Sequence, residues 1–180
     1  TGRGAHEGVL VRDAEALERF AKVDTLIVDK TGTLTEGKPN LTDVVTTAGA
    51  DEAHLLSLAA SLERGSEHPL AEAIVAGAES RGASFVDISG FSAITGKGVE
   101  GRAGDTPIAL GNAAMMADLG VSTETLKTET ERLRGEGKTV MFIAIDNKLA
   151  GLIAVADRIK PTTAAAIKAL HESGLKIVMG

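Results

Sequence analysis

Thr25-Leu26-Ile27-Val28-Asp29-Lys30-Thr31-Gly32-Thr33-Leu34-Thr35 joins an apolar, β-rich run to an abrupt carboxylate and a hydroxyl-rich turn. A run such as Thr25–Val28 reads as a strand buried on both faces, as in a parallel sheet. A carboxylate at the carboxyl end of such a strand sits where open α/β sheets bind ligands. Asp29 can attack phosphorus there and form an acyl phosphate, which divides one hard step into two easier ones. The loop that follows must then hold phosphoryl oxygens. Thr31 and Thr33 supply hydroxyls, Gly32 allows close backbone approach, and Lys30 adds positive charge. Such chemistry needs Mg²⁺ to offset the charge of nucleophile and phosphate. A lone Asp in this place would ordinarily be no more than the end of a strand. Seven specified residues in a row, Asp29–Thr35, carry a far stronger signal.

Outward from this stretch, the sequence divides into three regions. Residues 1–40 hold a strand over Gly8–Val11, a short helix over Ala14–Phe20 and the strand ending at Asp29. Residues 41–150 open with a strand over Thr42–Thr47. Two helices follow, Asp51–Glu63 with Asp51 as N-cap and Pro69–Arg81 with Pro69 in its first turn. Strand-like runs at Ser84–Phe91, Val99–Arg102 and Thr106–Leu110, with glycines between them, predict an antiparallel meander. Helices are expected at Asn112–Leu119 and Thr123–Arg134. A hairpin then joins Val140–Ile145 to Leu149–Val155 through Asp146-Asn147-Lys148. Residues 151–180 read as a helix, Pro161–Ser173, a Gly174 stop and a buried strand, Leu175–Met179, which is half of a βαβ unit. A parallel sheet needs more strands than these, so the chain is expected to stop in mid-domain.

Composition narrows the function classes. The chain has 180 residues, 43% of them apolar and 2% aromatic, so the core must be built from Ala, Val, Leu and Ile. A net charge of −6 argues against nucleic acid as a partner. The absence of cysteine excludes disulfides, iron–sulfur clusters and thiolate metal sites. No apolar run reaches the roughly 20 residues of a membrane span, and Thr1–Gly8 does not read as a signal peptide. A soluble, monomeric chain in a reducing cytosol is the expectation. No His, Asp or Glu cluster has transition-metal spacing; His6 and His54 read as surface residues, and His171 sits near a helix C-terminus, where a cation is favourable.

The string Asp-Lys-Thr-Gly-Thr-Leu-Thr at 29–35 resembles the signature of the P-type ATPases. That resemblance implies a haloacid-dehalogenase-like α/β phosphorylation domain, here incomplete, with an α+β nucleotide-binding domain on an antiparallel sheet inserted at 41–150. It also implies that ATP phosphorylates Asp29, that Lys30 and Thr31 belong to the catalytic loop, and that Asp29 and the Thr31 carbonyl coordinate Mg²⁺. Ser66-Glu67-His68-Pro69-Leu70 is similar to the His-Pro motif of the heavy-metal branch, which replaces an aromatic platform for adenine. Glu63 falls where that branch carries a glutamate beside adenine. Gly96-Lys97-Gly98-Val99 is similar to its Gly-x-Gly turn, and Gly111-Asn112 to a later pocket glycine.

Physically, His68 offers an imidazole face and a ring nitrogen, and Glu63 offers an acceptor for an amino group or a partner for the imidazole. Glycines at 96, 98 and 111 would let backbone approach a nucleotide without a Cβ in the way. Taken singly, a Gly-x-Gly is ordinarily a hairpin turn, His before Pro a helix start and Glu63 a solvated helix residue. Their order downstream of the Asp29 motif is what points to a nucleotide pocket. No Gly-Lys-Ser/Thr follows the turn, so it is not a Walker loop. Asp157, at the return into the third region, reads as a hinge or as a helix cap.

The resemblance further implies a parent pump whose membrane and actuator domains lie outside this chain, with these residues on the cytoplasmic face. The later Thr-Gly-Asp, lysine and Gly-Asp-Gly-x-Asn-Asp motifs of the family are absent, so the chain alone is expected to bind nucleotide and hydrolyse little. Cu⁺, Zn²⁺ and Co²⁺ stay open as cargo, because specificity resides in the membrane helices. Two alternatives remain beside this reading. One is a soluble phosphohydrolase of the same fold, although Thr31 stands where such enzymes usually carry an acidic residue. The other is a nucleotide-sensing module without catalysis.

Overall fold

The computed structural model describes residues 13–179, so the strand expected at Gly8–Val11 lies outside the described residues. Among the described residues two compact units are present, one of residues 13–36 and 159–179, the other Gly37–Arg158. The boundaries fall inside two strands, between Glu36 and Gly37 and between Arg158 and Ile159.

In the first unit, helix α1 (Ala14–Phe20) precedes β1 (Thr25–Val28), and helix α6 (Thr163–Glu172) precedes β8 (Lys176–Met179). β1 and β8 pair in parallel, with Thr25 opposite Lys176 and Val28 opposite Met179. The burial expected of both strands, on both faces for Thr25–Val28, is not met. Ile27 is 73% exposed and Met179 66%, because the sheet holds two strands among the described residues. The helix begins at Thr163, two residues later than expected. Pro161 lacks an N–H and precedes Thr162, the N-cap, in a turn.

The second unit is a six-stranded sheet in the order β2-β7-β6-β5-β4-β3. Its strands are β2 (Thr35–Thr46, which runs on into this unit), β3 (Ile88–Ile94), β4 (Gly98–Ala103), β5 (Thr106–Gly111), β6 (Thr139–Ile145) and β7 (Lys148–Ile159). The pairs from β3 to β7 are antiparallel. The β6–β7 turn is Asp146-Asn147, both at positive φ (52° and 55°), the conformation that two-residue hairpins require. The first meander strand lies at Ile88–Ile94 rather than Ser84–Phe91. Residues 84 and 86 are drawn instead toward helix α2 (Glu52–Glu63), whose buried Ser57 hydroxyl donates to the Ser84 carbonyl and whose Ser61 hydroxyl accepts from the Val86 N–H at 2.9 Å.

Both faces of this sheet are covered. Helices α2 and α3 (Pro69–Ser80) pack one face, with Leu55, Leu62, Ile74, Ile108, Ile143 and Ile153 in one core. Helices α4 (Ala113–Asp118) and α5 (Lys127–Gly135) contribute Met115, Met116 and Leu133 to a second core with Val140, Phe142 and Leu152. Side chains of β6 alternate between the two, Val140, Phe142 and Ala144 to one and Met141, Ile143 and Ile145 to the other. A continuous apolar run is therefore required of a central strand, although its neighbours are antiparallel.

One ion pair ties strands two apart. Lys138, half-buried, donates to Asp43 at 2.7 Å and contacts Glu136 at 2.8 Å. Burial alone would raise the Asp43 carboxyl, but hydrogen bonds from Lys138 and Thr42 outweigh it and hold the group below its ordinary range.

Candidate functional site

Asp29 is exposed at the carboxyl end of β1. The turn Lys30–Leu34 follows directly, with Gly32 left-handed at φ 76°. The Asp29 carboxylate accepts from the Thr31 N–H at 3.1 Å. The buried Thr35 hydroxyl closes the loop, accepting from the Gly32 N–H and donating to the Lys30 carbonyl, each at 3.1 Å. The sequence-predicted Asp29, Lys30 and Thr31 thus sit together on one short, internally bonded turn. Asp29 and the Thr31 carbonyl are hard oxygen donors, a set that suits Mg²⁺, which keeps several waters and takes one or two protein oxygens plus phosphate.

The second constellation lies in the Gly37–Arg158 unit. A cleft of about 500 Å³ is lined by Glu63, Ser66, His68, Gly96, Gly98 and Asn112, together with Thr139–Met141 of β6. It brings together four of the five residues singled out for nucleotide contact. The fifth, Gly111, does not line it; Asn112 does. Gly111 is buried, and a Cβ there would lie 2.4 Å from Met115 Sδ and 2.5 Å from the Lys97 carbonyl.

Each side chain is placed by its local structure. His68 is the N-cap of α3, its Nδ1 accepting from the Leu70 N–H at 3.1 Å. The ring proton therefore resides on Nε2 in the neutral imidazole. Asn112 caps α4 through the Met115 N–H (3.1 Å) and donates to the Gly96 carbonyl (2.8 Å), fixing the Gly96–Gly98 turn. An Asn after a glycine at a helix start was the signal available for it in the sequence. The β6 residues gave no such signal, being ordinary strand residues.

Glu63 is the exception in this site. It ends α2, is only 4% exposed, and its Oε2 has no hydrogen-bond partner among the described residues. Burial pushes its carboxyl above the ordinary 4.5, against the Ser66 hydrogen bond that lowers it. The fold therefore penalises the ionised form. Stability should rise as pH falls through the raised value, and level off below 4.5, where the unfolded chain is also protonated. Glu63→Gln should stabilise the unit by about 1 kcal/mol at pH 8 and by less toward pH 5. Urea unfolding at the two pH values checks this; equal gains at both would remove the titration from the account.

Residues 23–180 match the family model of the haloacid dehalogenase-like hydrolases. The chain is 71% identical over 179 residues to a copper-transporting P-type ATPase of Rhizobium leguminosarum bv. viciae, covering 99% of this chain and 21% of that protein. It is 49% identical to a copper-exporting P-type ATPase of Legionella pneumophila subsp. pneumophila, covering 99% of this chain and 24% of the relative. The crystal structure of a zinc-transporting PIB-type ATPase in its E2·Pi state superposes with a TM-score of 0.81 at 31% identity, over 98% of this chain and 28% of that one. The chain thus spans between a fifth and a quarter of the length of these curated relatives. No helix among the described residues is long and apolar enough to cross a membrane. With the loop after Asp29 on a parallel strand and a helix-flanked antiparallel unit inserted behind it in the sequence, the chain is similar over nearly its whole length to heavy-metal P-type ATPases, and it belongs to the haloacid dehalogenase-like hydrolase family.

Proposed function

We propose that this chain is the ATP-binding and phosphoryl-accepting part of an ATP-driven heavy-metal pump, working on the cytoplasmic face of a membrane. In this reading residues 41–150 bind ATP, while 1–40 and 151–180 belong to the phosphorylation domain. The rest of the pump, its membrane and actuator domains, supplies the cargo path. The names of the two curated relatives favour copper as cargo.

One observation carries the nucleotide site. A buried, unpartnered carboxylate oxygen at Glu63 is costly unless something completes it. An exocyclic amino group, as on adenine, is a donor that would do so. His68, anchored through Nδ1, keeps its ring face and Nε2–H for the same ligand. The exposed Gly96 turn leaves room for backbone approach.

In the chemical step, an Asp29 carboxylate oxygen forms a bond to the γ-phosphorus while the bond to the β–γ bridging oxygen breaks. ADP leaves with that electron pair, and no proton need move. Mg²⁺, held by Asp29 and the Thr31 carbonyl, would neutralise charge between carboxylate and phosphate. The Lys30 charge and the loop hydroxyls would orient the phosphoryl oxygens.

ATP should bind weakly, with Kd roughly 0.1–1 mM, about −4 to −5.5 kcal/mol, as suits a site that must release product. His68→Ala should weaken binding about fivefold, the value of about 1 kcal/mol for a ring contact, and His54→Ala should leave it unchanged. Calorimetric titration of the two variants decides the matter; equal effects would remove His68 from the site.

A further inference from the structure

The loop after Asp29 is held from a second side by residues that the reaction above does not use. Lys160 Nζ donates to the Gly32 carbonyl at 2.6 Å, and the Lys160 backbone N–H donates to the Leu34 carbonyl at 3.0 Å. The Thr163 hydroxyl, on the first residue of α6, also donates to the Leu34 carbonyl, at 2.6 Å. Thr163 is 7% exposed. Lys160 forms no ion pair among the described residues, so its charge is directed to a backbone oxygen alone.

In a trans peptide the carbonyl and the next N–H point in opposite directions. A Gly32 carbonyl turned to Lys160 therefore turns the Thr33 N–H away from it. Gly32 is the residue least able to hold such an orientation by itself, since glycine moves freely between left- and right-handed conformations. An ammonium on its carbonyl removes that freedom with a charge-assisted bond. The Leu34 carbonyl, bonded twice, fixes the far end of the same turn. Amides oriented in advance stabilise developing charge without reorganising during the reaction.

We propose that Lys160, with Thr163, is a positioning residue for the Asp29 loop: it holds the Gly32–Thr33 and Leu34–Thr35 peptide planes in the orientation that receives the phosphoryl group. This rests on Asp29 being the phosphoryl acceptor. A merely structural tie would lower the amount of folded protein; a positioning role lowers the rate of a folded one.

The test is phosphorylation by radiolabelled ATP with Mg²⁺ in the full-length protein that contains this chain, followed across ATP concentration. Lys160→Met should lower the maximal rate about tenfold at saturating ATP, with half-saturation changed less than about twofold. Lys160→Arg should recover the rate to within about threefold of wild type. Thr163→Val should show the same split and Thr163→Ser should not, which keeps the inference exposed to test if Lys160→Met fails to fold. A wild-type rate in both Lys160→Met and Thr163→Val, or a loss in either that falls equally on rate and half-saturation, would overturn it. A wild-type protein that never takes up acid-stable label would instead overturn the assignment of Asp29, and this inference with it.

Discussion

Asp29→Asn is expected to abolish the acid-stable, hydroxylamine-sensitive phosphoenzyme that the proposed function requires of the full-length protein. A neutral amide at this position cannot attack the γ-phosphate. Among the described residues the exposed carboxylate at the end of β1 accepts a hydrogen bond from the Thr31 N–H alone, so the substitution should leave the turn folded. ATP affinity should barely change, because the cleft at Glu63 and His68 belongs to the other compact unit. Loss of one negative charge near the terminal phosphate should tighten binding slightly, if at all. His68→Ala should give the converse pattern, a higher ATP requirement with full phosphorylation at saturation. Acid-quenched radiolabelling measures the first effect and calorimetry the second. Label retained by Asp29→Asn would place the acceptor elsewhere and sink the central proposal.

The largest effect on folding is expected at Gly98. This residue sits at φ 153° and lies opposite Gly111 in the β4–β5 pair. An added Cβ would come within 2.2 Å of the Leu110 carbonyl oxygen and 2.5 Å of the Gly111 Cα. Both neighbours are backbone, so neither can rotate aside. Gly98→Ala should therefore destabilise the Gly37–Arg158 unit by about 3 kcal/mol or more and abolish ATP binding in the distorted cleft. Gly96, two residues earlier, has φ 72° but open space around it. Gly96→Ala should cost only the left-handed backbone, about 1 kcal/mol. Urea midpoints of the two variants provide the comparison, and equal losses would refute the steric argument.

These glycines also show where reading by residue pattern reaches its limit. The pattern selects Gly98 and Gly111 for one reason only, room for a nucleotide. In the folded unit both are required because two strands approach each other closely. Glu63 is a similar case. Its position in order marks it for notice, yet as a residue on an α2 surface it would read as solvated. Only the packing of α2 against the sheet and α3 makes it a buried carboxylate with one oxygen unpartnered among the described residues.

What was legible from the residues alone is local. The Asp29 turn, the Asp51 cap, Pro69 at the start of α3 and the Asp146-Asn147 hairpin are each set by neighbours a few positions away. Their order along the chain was enough to indicate the family and an inserted unit. Tertiary structure decided the rest. It set the strand order β2-β7-β6-β5-β4-β3, placed Thr139–Met141 beside Gly96, and aimed Lys160 at a carbonyl 128 residues away. The physical reason is the same throughout. Caps and turns are bonds within one segment, whereas burial, strand order and the partner of a buried charge depend on which distant segment arrives, and hydrophobic attraction is not directional enough to write that choice into any one stretch.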